Sequence, residues 1–270
     1  MYKVVIVDDE PVICQGLQQT VKWDEFNCQV SGVANDGKEG LKVIKDVKPD
    51  IVFSDIAMNT MDGLTMVAAI KSEFPNIEVT LLTGYRNFDY AKEAVNLGVR
   101  RFLLKPSKMS ELTEAIEAMV SHLKLAESNE DTPSESQESF FDLSDEREAF
   151  IYNFFLKENM DGLSEANLFI VKKALLYIYD NYNQKLTLTQ VAEYCYVSSW
   201  HLSKLLNQAV GHGFLDIINL IRLEKAKVLL GDGTRKVQDV AEMVGFMDVA
   251  HFSRSFKTYT GISPKEYRIW

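Results

Sequence analysis

The chain has 270 residues, 46% hydrophobic and 25% charged, which is a globular composition with length for two domains. It contains no run of about 18 apolar residues, which excludes a membrane-spanning helix, and its N-terminus, Met1-Tyr-Lys-Val-Val-Ile-Val-Asp-Asp, reaches charge after four apolar residues, too few for a signal peptide, so the expected location is the cytoplasm. The net charge of −10 would argue against nucleic acid if it were uniform, but residues 166–270 carry +4 and residues 1–165 carry −14, as an acidic regulatory half joined to a nucleic-acid-binding half would.

The first 125 or so residues alternate short apolar runs with amphipathic stretches. Val4–Val7, Ile51–Phe53, Val79–Leu82 and Phe102–Leu104 read as buried strands, and Cys28–Ala34 is a weaker candidate. Helical patterns fall between them at Val12–Val21, Gly37–Val47, Gly63–Glu73 and Phe88–Leu97. A last one carries Leu112, Ala115, Ile116, Met119, Val120 and Leu123 on a single face. Five successive β-α units imply a parallel sheet with helices on both faces, with the site at the carboxyl ends of its strands. The three cysteines, Cys14, Cys28 and Cys195, are scattered, which predicts reduced thiols rather than a disulfide framework or zinc site.

Composition changes at Glu127. Glu127–Glu148 is rich in Ser, Glu and Asp and reads at first as an acidic linker, then Asp145–Leu156 suggests a short helix with no evident role. From Ala166 the strand signal disappears. Seven helices are expected: Ala166–Tyr182, Leu188–Tyr194, Ser199–Ala209, Phe214–Leu230, Val237–Met243, Asp248–Tyr259 and a turn from Pro264. The long one, Phe214–Leu230, shows Phe214, Ile217, Ile218, Ile221, Val228 and Leu229 as its apolar face.

The densest polar constellation sits at four strand ends. Asp8 and Asp9 follow the first strand, Asp55 the third, Thr83 the fourth and Lys105-Pro106 the fifth. Parallel strands would gather these groups at one edge of the sheet. Clustered carboxylates repel unless a cation joins them, and hard oxygen ligands suit Mg²⁺. A carboxylate can also accept a phosphoryl group, and a lysine and a hydroxyl can then hold the product.

These residues resemble the receiver domains of two-component response regulators over about residues 1–125. The motifs are Val7-Asp8-Asp9-Glu10-Pro11, Asp55-Ile-Ala-Met-Asn-Thr-Met-Asp-Gly63, Leu82-Thr83-Gly84-Tyr85 and Leu103-Leu104-Lys105-Pro106. The resemblance implies a flavodoxin-like (βα)5 fold with Asp55 as phosphoacceptor. It also implies Mg²⁺ held by Asp8, Asp9, Asp55 and the Ala57 carbonyl, and Thr83 and Lys105 on the phosphoryl group. Phe102 takes the aromatic switch position, though plain core packing fits it equally. The sequence departs from the family pattern at Ala57, where near relatives often have Arg, and at Asn59, where Pro is usual.

The C-terminal half repeats one plan. Leu188–Leu205 and Val237–Lys257 each hold a short helix with a central Ala (Ala192, Ala241), a turn, and a capped amphipathic second helix. Gly245 suits a left-handed turn, and Tyr196 takes the same place in the first unit. With Gly245-Phe246, Phe252-Ser-Arg-Ser-Phe-Lys257, Gly261-Ile-Ser-Pro264 and Tyr267-Arg268, this half resembles the AraC/XylS-type DNA-binding domain. The resemblance implies base-facing residues Trp200, Ser203 and Lys204 in one recognition helix. In the other it implies Val249, Ala250, His251 and Arg254, with Lys257 and Arg268 on phosphates. Core packing remains an alternative for Trp200, and plain solvation for Lys204 and Arg254.

The expected molecule is therefore an α/β receiver (1–125), an acidic linker with a short helical segment (126–165) and an all-α domain with two helix-turn-helix units (166–270). As in YesN-like response regulators, a sensor histidine kinase would phosphorylate Asp55. Phosphorylation would pair receivers through the face of helix 88–97, strand 101–104 and helix 110–124, and the homodimer would bind double-stranded promoter DNA, with RNA polymerase a further partner. Two rivals stand beside this reading. One is a phosphatase working through an aspartyl-phosphate, which Asp55-Ile-Ala disfavours because it is not a D-x-D pair. The other is a DNA-binding protein indifferent to phosphorylation.

Overall fold

The structure is a computed structural model, and it describes residues 1–84, 90, 94, 97–126, 141–157 and 162–268. These form two compact units, one of Met1–Phe141 with Gly162–Ile170, the other of Asp142–Asp161 with Val171–Trp270. No helix among the described residues is long and apolar enough to cross a membrane.

The first unit runs β1 (Tyr2–Val7), α1 (Pro11–Thr20), β2 (Cys28–Ala34), α2 (Gly37–Val47), β3 (Ile51–Asp55), α3 (Gly63–Glu73), β4 (Glu78–Thr83), β5 (Arg101–Leu104) and α4 (Met109–Ala126). Every strand pair is parallel, and the order β2-β1-β3-β4-β5 is that of a flavodoxin-like, doubly wound sheet. The central strands β3 and β4 are buried along their whole length, which is why they read as continuous apolar runs. Phe102–Leu104 was expected to be buried too. It is only half-buried, because β5 forms the edge of the sheet. Cys14 and Leu17 of α1 and Leu112, Ile116 and Met119 of α4 close one face over Val4, Ile6 and Phe53. On the other face, glycine lets α2 sit tight: a Cβ at Gly40 would lie 2.7 Å from Val7 and 2.8 Å from Met66. A short 3-10 turn at Trp23–Phe26, unread in the sequence, sets Trp23 edge-on to Phe53 at 5.7 Å. The helix expected over 88–97, and Tyr85, fall outside the described residues, apart from Tyr90 and the buried Ala94 and Leu97.

The second unit holds α5 (Glu146–Ile151) continued by a π turn (Tyr152–Leu156), then α6 (Glu165–Asn181) from Val171 on, α7 (Leu188–Tyr194), α8 (Ser199–Val210), α9 (Phe214–Gly231), α10 (Val237–Met243), α11 (Val249–Thr260) and α12 (Pro264–Tyr267). Side-chain caps fix the helix starts. Thr187 and Gln190 form a capping box, as do Ser263 and Glu266, while Ser198 and Asp248 accept from the first turns of α8 and α11. Phe246, Phe252 and Phe256 pack with Leu223, Ala226 and Leu230 of α9. Val228, read as part of that apolar face, is instead 75% exposed. Val228 shares a helical face with Ile217 and Ile221, but the buried side changes along α9: its second half buries Leu223, Ala226 and Leu230, on the opposite side.

Candidate phosphoacceptor site and DNA interface

The parallel register builds the first site. Val7 pairs with Ser54, Asp55 with Leu82, and Thr83 with Leu104, so the residues at and just past these strand ends share one edge. Asp55 and Thr83 are themselves the last residues of their strands, not the first of the loops. Asp8, Asp55 and Thr83 are buried. Carboxylate oxygens of Asp8, Asp9 and Asp55 lie within 4.8 Å of one another. Ala57 is exposed in the loop after Asp55, and Phe102 is half-buried opposite Leu81.

The Lys105 ammonium lies 2.7 Å from Asp8 Oδ2 and 3.2 Å from Asp55 Oδ1. The ammonium thus bonds both carboxylates, and it faces the two buried oxygens directly. Burial lifts the Asp8 carboxyl above the ordinary aspartate range. Lys105 and the Glu10 N–H, which donates to Asp8 Oδ1 at 3.0 Å, oppose that shift without cancelling it. Burial alone would lower Lys105, but Asp8 and Asp55 outweigh it and hold the ammonium above the usual lysine value. Three acidic residues around one lysine leave a negative excess. Carboxylate oxygens of Asp8, Asp9 and Asp55 so close together are a donor set suited to a hard divalent cation.

Three further features were not assigned from the sequence. Glu10 Oε1 lies 3.5 Å from the Lys105 ammonium. Gly63 presses on the phosphoacceptor candidate's own backbone: a Cβ there would meet the Asp55 carbonyl oxygen at 2.1 Å. Between them, Thr60 holds a left-handed backbone at φ +64°. The spacing of Asp62-Gly63 could have flagged the glycine, whereas nothing in a threonine announces positive φ.

In the second unit, α8 and α11 present outward faces. Trp200 is 73% exposed, so core packing does not explain it. The Lys204 ammonium stands 5.6 Å from its ring centre, one helical turn on. Lys204 is exposed and Ser203 half-buried, while Leu202, Leu205 and Leu206 face the core. On α11, Val249, Ala250, His251, Arg254 and Lys257 are exposed. Arg268 is half-buried and donates to the Arg235 carbonyl at 3.2 Å, so one of its guanidinium nitrogens is already engaged. Fully exposed Met247, unassigned from the sequence, extends the apolar start of α11.

Both turns use the left-handed backbone, Tyr196 at φ +57° and Gly245 at φ +87°. The connection ahead of the first unit is tied to α9 and to the turn of the second unit. Arg222 of α9 donates to the carbonyls of Tyr182 at 2.7 Å and Gln184 at 2.9 Å, and its guanidinium lies 5.7 Å from the Phe246 ring centre. A Cβ at Gly245 would meet the Asn183 carbonyl at 2.7 Å.

Comparison with known proteins agrees with both halves. Residues 4–117 match the response regulator receiver domain, and residues 191–269 match a helix-turn-helix domain. An uncharacterized response regulatory protein of Staphylococcus epidermidis is 30% identical over 270 residues, 99% of this chain and 98% of its own. The transcriptional regulatory protein HptR of Staphylococcus aureus is 28% identical, covering 99% of this chain and 98% of its own. An uncharacterized transcriptional regulatory protein, YesN of Bacillus subtilis, is 33% identical over 124 residues, 46% of this chain and 34% of its own. The chain belongs to the response regulators: it is a transcriptional regulator, not an enzyme, with a receiver domain followed by an AraC/XylS-type helix-turn-helix half.

Proposed function

We propose that Asp55 takes a phosphoryl group from a phosphohistidine of a sensor kinase and that this controls binding of promoter DNA. The observation that carries the proposal is the buried Asp8–Asp55–Lys105 cluster with the Asp9 carboxylate beside it. An Asp55 oxygen attacks phosphorus, the P–N bond breaks, and the nitrogen keeps the electron pair as imidazole leaves. Asp8, Asp9, Asp55 and the Ala57 carbonyl would hold Mg²⁺, which when bound neutralises charge on the transferring group. Lys105 pairs with the new phosphoryl oxygens, and Thr83 hydrogen-bonds one of them. Thr83 and Phe102 then shift, and the receiver face built on β5 and α4 pairs with a second copy.

In this reading receiver, connector and DNA-binding domain span 1–125, 126–165 and 166–270. Dimerisation sets two DNA-binding halves on neighbouring half-sites and raises their effective concentration. Trp200, Ser203 and Lys204, with Val249, Ala250, His251 and Arg254, face bases; Lys257 and Arg268 contact phosphates. The partners are a histidine kinase, double-stranded promoter DNA, a second copy and RNA polymerase, in the cytoplasm.

The test is molecular mass in solution with Mg²⁺, before and after beryllofluoride, for wild type and Asp55→Ala. A monomer-to-dimer shift in wild type alone is expected. No shift in either protein would sink the dimerisation mechanism.

A further inference from the structure

Neither family match covers residues 118–190. One part of this gap, Asp142–Leu156, is built into the second unit. Asp145 caps α5 by accepting from the Arg147 and Glu148 N–H groups. Arg147 reaches Asp180 of α6 at 3.3 Å. Glu148 pairs with Lys172 of α6 at 2.7 Å, both side chains mostly buried, and also accepts from the Asp142 N–H at 2.7 Å. The segment is thus tied to α6 through Arg147 and Glu148, and Glu148 also holds its first residue.

The helix then widens into the π turn, where the Lys157 N–H donates to the Tyr152 carbonyl five residues back. Such turns often mark functional places in helices. Ile151, Tyr152, Phe155 and Leu156 are buried. Phe150 stacks on Phe154 and packs on Tyr179, each at 5.2 Å between ring centres. The π turn itself packs against α8, the helix that carries Trp200 and Lys204. By contrast α11 packs on α9, α10 and α12.

We propose that Asp142–Leu156 is a positioning element for the first recognition helix. Phe155 and Leu156 set where α8 lies, and the Glu148–Lys172 tie sets where the π turn lies. The aim of Trp200 and Lys204 therefore depends on a segment outside the helix-turn-helix, on the covalent path from the receiver. This rests on reading α8 as a DNA-contacting helix, so the test has an arm that needs no DNA.

Amide hydrogen exchange of the full chain would be followed over 199–210 and 249–260 for wild type, Phe155→Ala and Glu148→Gln. Exchange over 199–210 is expected to quicken about tenfold or more in both variants while 249–260 stays within about twofold. Equal quickening of both helices, or none in either, would overturn the proposal. If Phe155→Ala does not fold, Glu148→Gln with the same readout decides. In the second arm, base-by-base footprints use a duplex selected by the wild-type chain from a random library. Trp200→Ala marks the half of the site read by α8. The two variants are expected to lose protection over that half and keep it over the other, and uniform loss or none would overturn the proposal. Failure of the wild-type chain to select any duplex would count against the DNA-binding reading alone, because the exchange arm stands without it.

Discussion

Asp8 is fully buried, and burial holds its carboxyl above the ordinary aspartate range. A folded-state pKa above the unfolded one favours folding at low pH, and that contribution disappears as pH rises through the folded value. At neutral pH without a cation, Asp8 therefore works against folding. Asp8→Asn is expected to raise the unfolding free energy in chelator and to abolish most of the gain Mg²⁺ gives wild type. Urea unfolding at neutral pH with and without Mg²⁺ checks both halves, and an unchanged or lower stability in chelator would refute it. Thr60 offers a second test. Its left-handed backbone costs a non-glycine residue roughly 1 kcal/mol, so Thr60→Gly should stabilise by about 0.5 kcal/mol once glycine's unfolded-state entropy is counted. A fall in the urea midpoint would show that the threonine side chain contributes more than its backbone loses. Asp8, Asp55, Thr83 and Lys105 were legible because polar groups ending several parallel strands must converge on one sheet edge, whereas φ at Thr60 leaves no trace in residue type.

Among the elements, the turns and recognition helices separate stability from reading. Gly245 combines positive φ with a 2.7 Å approach to Asn183. Gly245→Ala should therefore cost about 2 kcal/mol or more, measured by thermal unfolding. Trp200→Ala should behave oppositely, because the ring is 73% exposed. Its unfolding transition should move little while affinity for a selected duplex falls by about 1–3 kcal/mol. A large loss of stability would return Trp200 to the core. Periodicity could not decide this beforehand. Trp200 and Val228 are both apolar residues on amphipathic helices, and both turn out to face water. The weak pattern of β2, with Gln29, Ser31 and Gly32, has its own physical origin: it is an edge strand whose residues beyond Cys28 and Ala34 stay partly exposed. The segment 145–156 could be read as helix from its apolar spacing, but its ties to Asp180 and Lys172 are long-range and invisible locally.

At the scale of the whole molecule, charge opposes and assists at once. The chain carries −10 overall while residues 166–270 carry +4, so contact with DNA must come from a few placed cations. Affinity for a selected duplex should fall steeply with salt, and Lys204→Ala should reduce the slope of log K against log salt by about 1 if Lys204 meets a phosphate. An unchanged slope would assign Lys204 to a base edge or to solvent. The division into an α/β and an all-α half was readable from pattern alone, since strand runs alternate with helical patterns up to about residue 125 and the strand signal is gone from Ala166. The Arg222 rivet was not, since it joins a guanidinium to carbonyls 40 and 38 residues away. That rivet has a counterpart in the duplex. Inserting a single base pair between the stretches that α8 and α11 of one chain read turns one against the other by about 34° and shifts it by about 3.4 Å. A protein whose reading heads share a locked joint cannot follow that rotation. The double helix must untwist or bend instead, so helical phase, as much as base identity, selects the operator.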